Sequence, residues 1–341
     1  MQVPILPRNG CLCIDLFSQM LLLIHQPTFM HIQNLRIPVL TLFISMLSFS
    51  CAGQQNAEND AMAGLYSKSI VIPNITYLTV DGIDLKLDAY VPARNTGGEP
   101  WVEYTSQRKP VLLYIHGGGW NGLTRSVRNL NFLPYIDKGW AVVNIDYRLL
   151  DQAPFPACIA DCRYALNWIY ENAAKYKFDT TKIVVSGESA GGHLALMTGF
   201  LKHDDEISVP GKPITRKMTI AAVINWFGVS DIGEQIDHWH SKSFMEKLVG
   251  DTSKKEVIYK SCSPLTYVNA STPPVLTVHG DADNTVPFSQ AVQLHNTLRS
   301  HGVTNKLVVM KGKRHGDFTE EEMRRNFRSI WEFLKDLGIE Q

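Results

Sequence analysis

Apolar positions along the chain fall into short runs separated by longer segments of mixed character. Ile75–Val80 and Ile83–Val91 alternate on either side of Asp81-Gly82, a dipeptide that favours a tight turn, and predict an antiparallel hairpin. Further strand-like runs follow at 111–115, 140–145, 182–186, 219–225, 274–278 and 305–310, and these are apolar almost throughout rather than alternating. Such runs belong to strands covered on both faces. Most are separated by segments with helical spacing, such as Phe155–Tyr176 and Ala190–Leu201. Strands alternating with helices predict a mostly parallel sheet with helices on both faces, in which ligands bind at the loops after the strands. The longest connection, between Trp226 and Pro273, is expected to shape a pocket or lid.

The chemistry-bearing residues sit in those loops. Gly187-Glu188-Ser189-Ala190-Gly191 directly follows the run Lys182–Ser186 and opens the helix-like segment from Ala190. A turn this sharp exposes a serine hydroxyl and tolerates only small neighbours, so Ser189 is a candidate nucleophile. A serine hydroxyl needs a base, an orienting carboxylate and donors for the oxyanion. The run 111–115 leads into His116-Gly117-Gly118-Gly119-Trp120, where the amides of Gly118 and Gly119 can join that of Ala190 in facing an oxyanion. The run 274–278 leads into His279-Gly280-Asp281-Ala282-Asp283, which offers two aspartates as the acid. The run 305–310 leads into Lys311–Gly316, where His315 completes the order Ser, Asp, His. His203, His295 and His301 read as surface residues, whereas His116 and His279 read as braces for their loops.

With these motifs the chain resembles an α/β-hydrolase of the esterase and lipase group whose oxyanion loop is HGGGW. Asn144–Leu149 and Phe155-Pro156-Ala157 bring it nearest to the bacterial feruloyl and acetylxylan esterase-like branch, related to hormone-sensitive lipase and kynurenine formamidase. The likeness runs from about Ile75 to Leu337. It implies an α/β-hydrolase fold with a doubly wound, mostly parallel sheet, and a Ser-His-Asp triad working through an acyl-enzyme without a cofactor. In the motif His-Gly-Asp-x-Asp-x-x-Val-Pro it places the acid at Asp283. It specifies the substrate poorly. Short acyl esters of carbohydrates fit best, with Trp120, Trp226 and Trp239 as candidate stacking surfaces in the pocket. A formamidase-like amidase or an esterase for longer acyl chains would use the same residues.

Composition narrows the setting. The 341 residues are 45% hydrophobic, and 33 Lys plus Arg balance 33 Asp plus Glu, so no basic excess points to nucleic acid. Residues 67–341 suffice for the catalytic domain. Upstream, Met30 begins a signal-like pattern: His31 and Arg36, the apolar Ile37–Phe49, then Ser50-Cys51. This resembles a lipoprotein signal over 30–51, with Cys51 lipidated and 52–66 as a tether, so the protein is expected on a bacterial membrane surface through that anchor alone. Residues 1–29 read as an extension from a mis-assigned start. Cys158 and Cys162 share a helical face and are expected to fill the core with Cys262 rather than bridge. Asp237-His238-Trp239-His240 comes nearest to a metal-binding spacing and is not read as one.

Overall fold

The computed structural model describes residues 69–95, 102–126, 129–202 and 207–340. Two long strands, β1 (Ser69–Val80) and β2 (Ile83–Asn95), form the hairpin about Asp81-Gly82. Strand β1 starts six residues before the alternating pattern because Pro73 and Asn74 interrupt it: Asn74 adopts φ +59°, and the register slips between Ile72 and Ile75. Next come β3 (Val102–Tyr104), β4 (Lys109–Ile115), β5 (Ala141–Ile145), β6 (Phe178–Glu188), β7 (Ala222–Trp226), β8 (Val275–Gly280) and β9 (Asn305–Met310). The sheet order is β1-β2-β5-β4-β6-β7-β8-β9, with β3 pairing separately on β2. Pairs β1/β2 and β2/β5 are antiparallel, and every pair from β5 to β9 is parallel.

Alternation along the strands divides the core into two layers. Val111, Leu113 and Ile115 face one layer with Val143 and Val185, while Leu112 and Tyr114 face the other with Val142 and Val184. The first layer is covered by α2 (Ala157–Glu171) and α4 (Ala190–Phe200), which follow α1 (Leu133–Asp137) and the short α3 (Ala173–Tyr176). Helix α4 is apolar around its whole circumference and correspondingly buried, in contact with both β6 and β7. Cys158, Cys162 and Cys262 are free thiols buried in this layer.

The connection from 226 to 273 folds into α5 (Ile232–Trp239), α6 (Lys242–Val249) and α7 (Lys255–Ser261). Asp231 and Ser241 cap the first two by accepting from the amides of Glu234 and Phe244. After α8 (Phe288–Ser300), the chain ends in α9 (Glu320–Asp336), whose Thr319–Glu322 capping box starts the helix. Phe327, Ile330, Phe333 and Leu334 place its apolar stripe on the second layer. Full burial of each such side chain contributes about 1.5–3 kcal/mol. The parallel strands β4, β6, β7, β8 and β9 all point their C-terminal ends the same way, which gathers the loops after them at one edge.

Candidate active site

Between β6 and α4 the backbone turns within one residue. Ser189 sits at φ +54°, ψ −120°, a conformation that costs a non-glycine residue of order 1–3 kcal/mol and persists only where neighbours enforce it. The enforcing contacts are visible: the Ser189 amide donates to the Trp226 carbonyl at 2.9 Å, and its own carbonyl accepts from the His193 amide at 3.0 Å. Close approach explains Gly191, where a Cβ would lie 2.1 Å from the Ile115 carbonyl oxygen. The half-buried Ser189 side chain is thereby presented at the sheet edge.

Two other loops converge on it. His315 Nε2 lies 2.9 Å from Ser189 Oγ, and His315 Nδ1 lies 2.7 Å from Asp283 Oδ2. The other Asp283 oxygen accepts from the amides of Thr285 at 2.8 Å and Val286 at 3.0 Å. His279 Nε2 approaches Asp283 Oδ2 at 3.3 Å and the Val286 carbonyl at 3.0 Å, so it braces the acid loop from within the core. Burial alone would raise the Asp283 carboxyl, but hydrogen bonds from His279 and His315, with the imidazole charge, outweigh it and hold the group well below the usual carboxylate range. A carboxylate so placed stabilises the Nδ1–H form of His315, leaving Nε2 to accept from the serine. Asp281 points elsewhere, to the Gly312 amide at 2.6 Å and Lys311 Nζ at 3.2 Å.

The glycine loop closes the third side. Gly118 and Gly119 have φ +111° and +61°, and a Cβ on Gly117 would meet the Glu188 carbonyl oxygen at 2.8 Å and Ser189 Cβ at 3.5 Å. The loop thus lies against the serine turn. The Ala190 amide, first in its helix, has no acceptor one turn back within that helix and carries the positive end of its dipole. Beneath the loop, the His116 ring stacks on Tyr147 at 4.4 Å, and the Tyr147 hydroxyl donates to the His116 carbonyl at 3.1 Å. Arg148 next to it is locked to the buried Asp161 at 2.8 Å.

Several expectations are corrected. Trp120 is 1% exposed: its φ of +55° turns the indole inward onto Phe155 and His193, and Nε1 donates to His193 Nδ1 at 3.1 Å. Trp226 shares the parity of Ile224 on β7 and packs on Phe327 in the second layer. Neither ring can stack on a sugar. Trp239 is half-buried, with Nε1 donating to the Thr285 carbonyl at 2.9 Å. His295, read as a surface residue, is fully buried and bonds Asn305 at 2.8 Å. His301 is exposed. His203 and Cys51 lie outside the described residues. Among the described residues no cluster of His, Cys, Asp or Glu could hold a metal ion.

Sequence reasoning missed Phe227. It follows β7 at φ +40°, and its ring meets the His315 imidazole edge-on at 4.7 Å. Its only sequence signal was an aromatic residue just after a strand and before Gly228.

Comparison with known proteins points to the same fold. A family model described as BD-FAE matches residues 101–298, a span that includes Ser189 and Asp283 and ends before His315. Esterase LipQ of Mycobacterium tuberculosis is 30% identical over 58% of this chain and 47% of its own. The chain spans about half the length of the curated relatives it matches. A truncated carbohydrate esterase from gut microbiota superposes with a TM-score of 0.63 at 24% identity, over 80% of this chain and 97% of its own, which speaks to the fold. Esterase 2 of Thermogutta terrifontis, solved with propionate bound, matches with a TM-score of 0.63 at 27% identity, over 80% and 95% of the two chains. Since the family model covers more than half of its length, this α/β-hydrolase chain belongs to the BD-FAE family.

Proposed function

We propose that the chain is a serine carboxylic-ester hydrolase. Ser189 Oγ attacks the ester carbonyl while His315 Nε2 takes its proton, and Asp283 holds the imidazole in the required tautomer. The amides of Gly118, Gly119 and Ala190 receive the oxyanion. The alcohol leaves with the proton from His315. Water, activated by the same base, then attacks the acyl-enzyme and releases the acid. The observation that carries this reading is the unbroken relay from Ser189 through His315 to Asp283, with contacts of 2.9 and 2.7 Å.

Short acyl groups, acetyl-type and carried by carbohydrate or related alcohols, are the proposed substrates. The propionate bound to the Thermogutta esterase is of that size. Support from tryptophan stacking falls to Trp239 alone. A panel of acetyl, butyryl and octanoyl esters of one alcohol, acetylated xylan, a feruloyl ester and an N-formyl amide tests the reading. Highest kcat/KM on acetyl esters is expected, because a small pocket penalises each unaccommodated methylene by about 1 kcal/mol or more. Preference for octanoyl esters would make it lipase-like, and preference for the N-formyl compound would make it an amidase. We further propose export and lipidation at Cys51, supported by the signal-like pattern of residues 30–51.

A further inference from the structure

Four large apolar side chains are exposed among the described residues: Leu123, Val257, Val292 and Val309. The valines lie on α7, α8 and the edge strand β9. Leu123 differs from them in position and in backbone. It belongs to the oxyanion loop, is 47% exposed, and has φ +67°, a left-handed conformation uncommon for a leucine. Its side chain leans on the glycine that would bind the oxyanion: a Cβ on Gly118 would come within 3.0 Å of Leu123 Cγ.

The loop is pinned on both sides of this residue. On one side the Trp120 indole is buried against His193, the Trp120 carbonyl accepts from the Leu150 amide at 2.9 Å, and the Asn121 amide donates to Gly118 at 3.1 Å. On the other, the Arg125 amide donates to Asp146 at 2.7 Å, its carbonyl accepts from Asn144 at 2.7 Å, and its guanidinium pairs with Asp88 at 3.0 Å. The fold therefore enforces a strained backbone whose outcome is an apolar side chain about half exposed against Gly118. Strain held by such clamps collects at functional sites.

We propose that Leu123 is a specificity-determining residue, forming the apolar wall against which the hydrocarbon group flanking the ester carbonyl packs. The inference rests on the ester-hydrolase reading. Binding there desolvates both surfaces, so each methylene of the substrate that reaches Leu123 contributes to affinity alike in the ground and transition states.

The test compares wild type with Leu123→Asn, which tolerates a left-handed backbone while removing the apolar surface, and with Leu123→Met, which keeps that surface. Two substrate series are read: acetyl, propionyl and butyryl esters of one alcohol, and methyl, propyl and butyl acetates. In Leu123→Asn the ratio of kcat/KM between the longest and shortest member should fall about three- to tenfold in one series, through KM, with Tm equal or higher. Leu123→Met should restore the ratio. The responding series identifies the acyl or the alcohol side. An unchanged ratio in both series, or an equal loss on every ester, overturns the proposal while the ester-hydrolase reading stands. No hydrolysis of any ester by wild type would instead refute that reading, and the proposal with it.

Discussion

Trp120 Nε1 donates to His193 Nδ1 at 3.1 Å, and His193 Nε2 reaches the Cys262 carbonyl at 2.7 Å. The indole can only donate, so His193 carries its proton on Nε2. One neutral histidine thus ties the glycine loop, helix α4 after the serine and the segment after α7 into a single unit.

Removing that tie should cost stability before anything else. Trp120→Ala is expected to lower the unfolding free energy by about 3–5 kcal/mol, as large-to-small changes of buried aromatics do, and it also leaves His193 Nδ1 without its donor. Urea unfolding measures the loss. A variant as stable as wild type that fails only on sugar esters would return Trp120 to the pocket.

The buried histidines make stability depend on pH. Burial pushes His193 down to about 4, and burial likewise pushes His295 down to about 4. Unfolded, each takes up a proton near its ordinary pKa of about 6.5. The unfolded chain therefore binds more protons throughout that window, and stability, fully present above about pH 6.5, is lost as pH falls to about 4. Each histidine contributes up to about 3 kcal/mol of this loss. The Asp283 carboxyl, held low, adds its own loss only at more acidic pH. Urea midpoints at pH 7.5 and 5.0 should differ clearly in wild type and less in His193→Gln and His295→Gln. An equal shift of the midpoint between the two pH values in all three would refute the assignment.

Ser189→Ala should lower kcat by at least about 10³-fold with the fold retained, since what remains is oxyanion binding and positioning. Circular dichroism and steady-state rates on one preparation decide it. Activity close to wild type would remove Ser189 as the nucleophile.

The two aspartates separate by their partners. Asp283→Asn should misorient His315 and lower kcat by up to about 10⁴-fold, whereas Asp281→Asn loses the charge paired with Lys311 while its amide oxygen can still accept from Gly312, and should keep kcat close to wild type. The reverse ranking would move the acid to Asp281.

For the amino terminus, a chain beginning at Met30 and produced in a bacterial host should be cleaved before Cys51 and carry lipid on it. Intact mass of membrane-extracted protein reads this directly. A chain still starting at Met30 without added mass would exclude both steps.

Much of the fold was legible along the chain, since strand runs, helical spacing and turn chemistry act over a few residues. Ser189 was readable because a strand, a G-x-S-x-G turn and a helix follow one another without a gap, and His315 because it lies in the loop after the last strand-like run. His295 was legible and misread: Ala291, Leu294, His295 and Leu298 are spaced as one buried helical face. What stands two residues apart in a loop was not. Asp281 and Asp283 are equivalent as sequence until the family motif or the folded loop points one at His315 and the other at Lys311. Trp120 was undecidable for the same reason, because a left-handed φ sends its indole into the core while Leu123, three residues on, stays about half exposed. Local sequence determined which elements form and which residues stand at their ends. Side-chain direction within the loops was decided only by the tertiary structure, because clamps from distant segments, His193, Asp146 and Trp226, set backbone angles that no local preference favours.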